Sequence, residues 1–110
     1  MHTVVELPEY IKRAEKLLAG SERSELINFL ATNPKAGDLI QGTRGVRKIR
    51  WKRQGSGKSS GFRVVYFFHN ESIPLFLLTI FGKNEKTNLT QSERNDLAKL
   101  CQLIIRSYKR

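Results

Sequence analysis

Between Asp38 and Glu71 the chain has no acidic residue but eight basic ones: Arg44, Arg47, Lys48, Arg50, Lys52, Arg53, Lys58 and Arg63. Lys48, Arg50 and Lys52 alternate with Ile49 and Trp51, a period of two that puts three cations on one side of a strand. Neighbours on such a face lie about 6.5–7 Å apart, close to the spacing of phosphates along a nucleic-acid strand. A solvated sheet face is the plain alternative, but like charges this dense repel one another unless a polyanion meets them. The same residue types also suit chemistry on RNA, whose own 2′-hydroxyl can attack the adjacent phosphate. A protein that promotes this step takes the 2′ proton, protonates the leaving 5′ oxygen and stabilises charge on phosphorus. Arginine serves the last task through its bidentate fork, and a lysine crowded by cations can serve as a base.

Other catalytic parts are scarce. His2 stands at a terminus expected to fray and His69 precedes a turn, so both read as surface or turn histidines. The acidic residues show no paired spacing for a metal-dependent nuclease, and no metal is expected. Gly55-Ser56-Gly57-Lys58-Ser59 lacks the spacing and the following helix of a phosphate loop, and reads as a hairpin turn. The single Cys101 excludes an intrachain disulfide and a cysteine-based zinc site.

The elements that must hold the basic row are legible from pattern. Val4 and Val5 form a short extended stretch that Leu7-Pro8 ends. From Pro8, Ile11, Ala14, Leu17 and Leu18 recur at helical spacing until Gly20. Ser21 is the expected cap of a second helix, with Leu26, Ile27, Phe29 and Leu30 as its buried stripe and Asn33-Pro34 as its end. Strands follow at 46–53, 62–68 and 73–81, the last apolar at both parities and so covered on both faces. Trp51 and Tyr66 belong to the core in this reading. Thr90-Gln91-Ser92-Glu93 is a capping box, and the helix after it carries Leu97, Leu100, Ile104 and Tyr108. The order β-α-α-β-β-β-α predicts an α+β domain over 1–110: a helical hairpin and a C-terminal helix on a mostly antiparallel, twisted sheet.

Length and composition agree. One hundred and ten residues, 39% apolar and 27% charged, make one folded domain, and a net charge of +10 points to a polyanionic partner. The stretch from Leu75 to Phe81 is too short to span a bilayer, and Met1–Glu6 has no signal-peptide pattern. A cytoplasmic protein with no membrane contact is expected.

Three segments in order, Gln41–Arg50 (QGTRGVRKIR), Gly61–Tyr66 (GFRVVY) and Leu77–Glu85 (LLTIFGKNE), resemble the RelE/HigB toxins of bacterial type II toxin–antitoxin pairs. Asn33–Asp38 (NPKAGD) fits the HigB-like branch. The resemblance implies a ribosome-dependent mRNA endonuclease that cuts messages in the decoding site by 2′-hydroxyl attack, with no metal and no cofactor. It implies a cognate antitoxin, in the HigB branch often of helix-turn-helix type, and contact with operator DNA only through their complex. Carried over by position, Lys48 is the candidate base, Arg50 and Arg63 support phosphate charge, and Lys83 binds the phosphate or donates a proton. Arg44, Arg47, Lys52, Arg53, Lys58 and Lys86 are the accompanying RNA- and ribosome-binding residues. Asn84 and Leu89 or Thr90 stand where some relatives have an arginine and a tyrosine, which leaves the general acid unassigned; Asn84 and Glu85 are candidates to orient the basic residues. Charge also argues that the antitoxin is acidic where it meets the Lys48–Arg63 face. Two other readings are a ParE-like gyrase poison of similar fold and a basic nucleic-acid-binding module without catalysis.

Overall fold

The computed structural model describes residues 1–52, 61–82, 85 and 88–109. Arg53, the segment Gln54–Ser60 where a turn is expected, and Lys83, Asn84 and Lys86 lie outside them. The element order is β1 (Val4–Glu6), α1 (Pro8–Leu17), α2 (Gly20–Thr32), β2 (Asp38–Leu39), β3 (Val46–Lys52), β4 (Gly61–Phe67), β5 (Leu75–Gly82) and α3 (Gln91–Tyr108). The strands form one sheet in the order β1-β5-β4-β3-β2, antiparallel except where β1 runs parallel to β5. This is the expected α+β class with one added element. The two-residue β2 is too short to show a period, and pairs Asp38 with Lys48 and Leu39 with Arg47.

Apolar side chains cover both faces of the two central strands. On one face Tyr10, Ala14, Leu18, Leu26 and Leu30 of the helical hairpin pack on Phe62, Val64, Tyr66, Leu75, Leu77 and Ile80. On the other, Val46, Val65, Phe67, Phe76, Leu78 and Phe81 meet Cys101, with Leu97, Leu100, Ile104 and Ile105 of α3 partly buried against them. That two-sided cover is why β5 is apolar at both parities. Pro8 opens α1, where its missing N–H costs nothing. Thr90 caps α3 reciprocally: its hydroxyl accepts from the Glu93 N–H at 3.1 Å, and the Glu93 carboxylate accepts from the Thr90 N–H at 2.8 Å.

Three local expectations are corrected. Ser21 lies inside α2, whose cap residue is Ala19; the start of the helix is held instead by the Glu22 carboxylate, which reaches back to accept from the Ala19 N–H at 2.9 Å. Phe29 is 37% exposed, at the rim, with its ring 5.5 Å from that of Trp51. Ala31 is buried instead, beside Leu26 and Leu30. His2 is tied down rather than frayed: its Nε2 lies 2.8 Å from the Ile73 carbonyl, and its ring meets Phe68 edge-on at 5.1 Å.

Candidate functional site

Antiparallel pairing of β3 and β4 sets Arg50 directly opposite Arg63, Lys48 opposite Val65, and Lys52 opposite Gly61. Cross-strand partners point to the same face, so Lys48, Arg50, Lys52 and Arg63 share one side of the sheet with Val46, Val65 and Phe67. It is the side that α3 covers. Val46, Val65 and Phe67 are buried beneath the helix, while Arg50 and Lys52 are exposed farther along. One sheet face is thus half core and half cationic surface.

Two arginines directly opposite each other have Cβ atoms about 4.5–5.5 Å apart and repel. Arg63 is half-buried, with Phe81 opposite it on β5. Its Nη1 is buried and has no hydrogen-bond partner among the described residues. A buried N–H of a cation without an acceptor is costly. Lys48 Nζ donates to Asn88 Oδ1 at 2.8 Å, which ties the candidate base to the segment just ahead of α3.

The remaining basic residues divide. Arg47, at odd parity, lies on the opposite face beside Ile49 and Trp51. Its Nη1 donates to the carbonyls of Gly37 at 2.7 Å and Lys35 at 3.2 Å. Tyr66 completes this brace: its hydroxyl donates to the Pro34 carbonyl at 2.9 Å and accepts from the Gly37 N–H at 2.8 Å. Burial pushes the Tyr66 phenol above its ordinary value of 10.0, with the Gly37 bond and Arg47 pulling the other way. Gly37 is required by close approach, because a Cβ there would stand 2.9 Å from the Lys48 carbonyl and the Tyr66 hydroxyl. The brace therefore seats β2 against the backbone of Lys48.

Arg44 is at the other end of β3, in a turn where its φ is +60°. It lines a cleft of about 330 Å³ with His69, Arg106 and Lys109, away from the Arg50–Arg63 pair. His69 stacks along Phe67 at 6.1 Å, so the two histidines flank opposite faces of the sheet. Arg53, Lys58, Lys83 and Lys86 lie outside the described residues. Asn88 has no sequence signal, since an asparagine before a capping box reads as loop.

Residues 11–109 match the family described as the RelE toxin of the RelE/RelB toxin–antitoxin system. The chain belongs to this family of toxins. Its implied partner is accordingly a cognate antitoxin. The structure of an E. coli toxin RelE mutant in the free state superposes with a TM-score of 0.57, covering 91% of this chain and 96% of that one at 21% identity. That likeness is one of fold. No helix among the described residues is long and apolar enough to cross a membrane.

Proposed function

We propose that residues 1–110 act as one toxin domain that cuts mRNA on the ribosome, in the cytoplasm, and so stops translation. The observation that carries this reading is the Arg50–Arg63 pair on the sheet face with Lys48, where the buried Arg63 Nη1 has no acceptor among the described residues. In the reaction the 2′-oxygen forms a bond to phosphorus while the bond to the 5′-oxygen breaks. The products are a 2′,3′-cyclic phosphate and a free 5′-hydroxyl. Lys48 takes the 2′ proton, and the two guanidinium groups hold the charge that grows on the phosphate oxygens. Lys83 binds the phosphate or returns a proton to the 5′-oxygen. Lys52, with Arg44, Arg53, Lys58 and Lys86, contacts ribosomal or messenger RNA. Arg47 is left out of this set, because its guanidinium serves the Gly37 brace. The nucleophile belongs to the substrate and the arginines carry the charge, so the scheme requires no metal or cofactor.

The branch is HigB-like, with an antitoxin of helix-turn-helix type that is acidic against the Lys48–Arg63 face and brings the pair to operator DNA. The test is cleavage of a defined message with and without programmed ribosomes, for wild type and Arg63→Ala. The expected result is cutting only on ribosomes, ending in cyclic phosphate, and slowed about 10²–10³-fold by Arg63→Ala with ribosome binding largely kept. Intact message in every tube would overturn the reading; inhibition of gyrase in a parallel assay would then assign the toxin another target.

A further inference from the structure

β1 pairs with β5 only from Leu75 to Leu77, after which the Leu7 N–H takes the Leu77 carbonyl. Past that point no described strand covers the outer edge of β5, and its backbone groups need other partners. Arg13 of α1 supplies one of them and Glu85 another. The Arg13 Nε donates to the Ile80 carbonyl at 2.5 Å, and its Nη2 pairs with the Glu85 carboxylate. The other Glu85 oxygen accepts from the Gly82 N–H at 3.1 Å. One guanidinium thus grips β5 directly and holds Glu85, which in turn grips the last residue of the strand. Three residues beyond Glu85, Asn88 holds the ammonium of Lys48.

We infer that Arg13 and Glu85 form a positioning pair: Arg13 holds Glu85 against the end of β5, and the anchored Glu85 sets the place of Asn88, three residues on, and through it that of Lys48. The inference rests on the cutting reaction proposed above for its effect on rate, though not for the geometry. A half-exposed ion pair of this kind adds little to stability, since solvent screens it and two side chains must be ordered. Its two-point geometry is what matters, because a guanidinium fork fixes direction as well as distance. Nothing in the sequence couples the two partners, which stand 72 positions apart.

The test is cleavage on programmed ribosomes by Arg13→Ala, Arg13→Lys and Glu85→Gln, with Lys12→Ala as the control. Lys12 is on the same helix and lines the same 230 Å³ hollow, so it reports the loss of one local charge. The expected result is a kcat about ten- to a hundredfold lower for Arg13→Ala and Glu85→Gln, with KM and Tm near wild type. Arg13→Lys should fall between, since an ammonium cannot grip both partners in the same way. Lys12→Ala should leave kcat unchanged. Wild-type kcat in Arg13→Ala, or a loss confined to KM and matched by Lys12→Ala, would overturn the inference. If wild type itself cuts nothing, the reaction reading fails and the placement is decided separately by NMR. A displaced Asn88 side-chain amide resonance in Arg13→Ala then supports the positioning pair, and an unmoved one overturns it.

Discussion

Arg63 stands opposite Arg50 on one side and Phe81 on the other, with its Nη1 buried and lacking an acceptor among the described residues. Such an arrangement works against the fold twice, through like-charge repulsion across the strands and through an unanswered donor worth about 1–3 kcal/mol. A fold selected for stability alone would place an apolar side chain here. Arg63→Met should therefore raise the free energy of urea unfolding by about 1 kcal/mol while slowing cleavage as much as Arg63→Ala does. Equilibrium unfolding beside a cleavage assay checks both halves, and a destabilised Arg63→Met would mean that the arginine serves packing instead.

The strands carry the proposed site, but the helices decide how much of it is open. Helix α3 packs over Val46, Val65 and Phe67, while Arg50 and Lys52 on the same face are exposed and Lys48 and Arg63 are half-buried. The start of the helix is held by the reciprocal Thr90–Glu93 cap, which begins two residues after Asn88. Thr90→Ala should cost about 1 kcal/mol of stability, read by chemical denaturation. On the far side of the sheet, α1 and α2 bury Tyr10, Leu26 and Leu30, and α1 sends Arg13 to the edge of β5. The hairpin is then both a cover for the core and a support for the end of a strand.

At the scale of the molecule, the two cores of this +10 chain bury Tyr10, Tyr66 and Cys101 in their neutral forms. Burial, then the nearby Glu6, pushes the Tyr10 phenol from 10.0 up to about 12, while Arg23 pulls the other way. Burial alone pushes the Cys101 thiol from 9.0 up to about 12, and the Tyr66 phenol is raised as well. Each folded-state value lies above the unfolded one, so the folded state binds these protons more tightly. Their stabilising contribution is complete below about pH 9 and is lost as pH climbs from there towards 12. Urea midpoints measured between pH 8 and 12 should fall across that window. The fall should be smaller in Tyr10→Phe, which has no phenol to ionise.

Patterns that live within one element were legible from the sequence by itself: the Lys48-Arg50-Lys52 alternation, the double-sided β5, the Thr90 capping box and the α+β order. Each follows from a local period or a local hydrogen bond. The family, too, was legible, from three short segments in order. The alternation also assigns Arg47 to the Ile49 side, although its place in a basic run hides that. Only the tertiary structure decided what meets what. Arg50 faces Arg63 because a strand register chose that pair; Asn88 meets Lys48 and Glu85 meets Arg13 across 40 and 72 positions because helix docking brought them together. His2, expected to fray, is held by Ile73 and Phe68 for the same reason. Periodicity is a property of one segment, whereas register and docking minimise free energy over the whole chain, so no single segment records them.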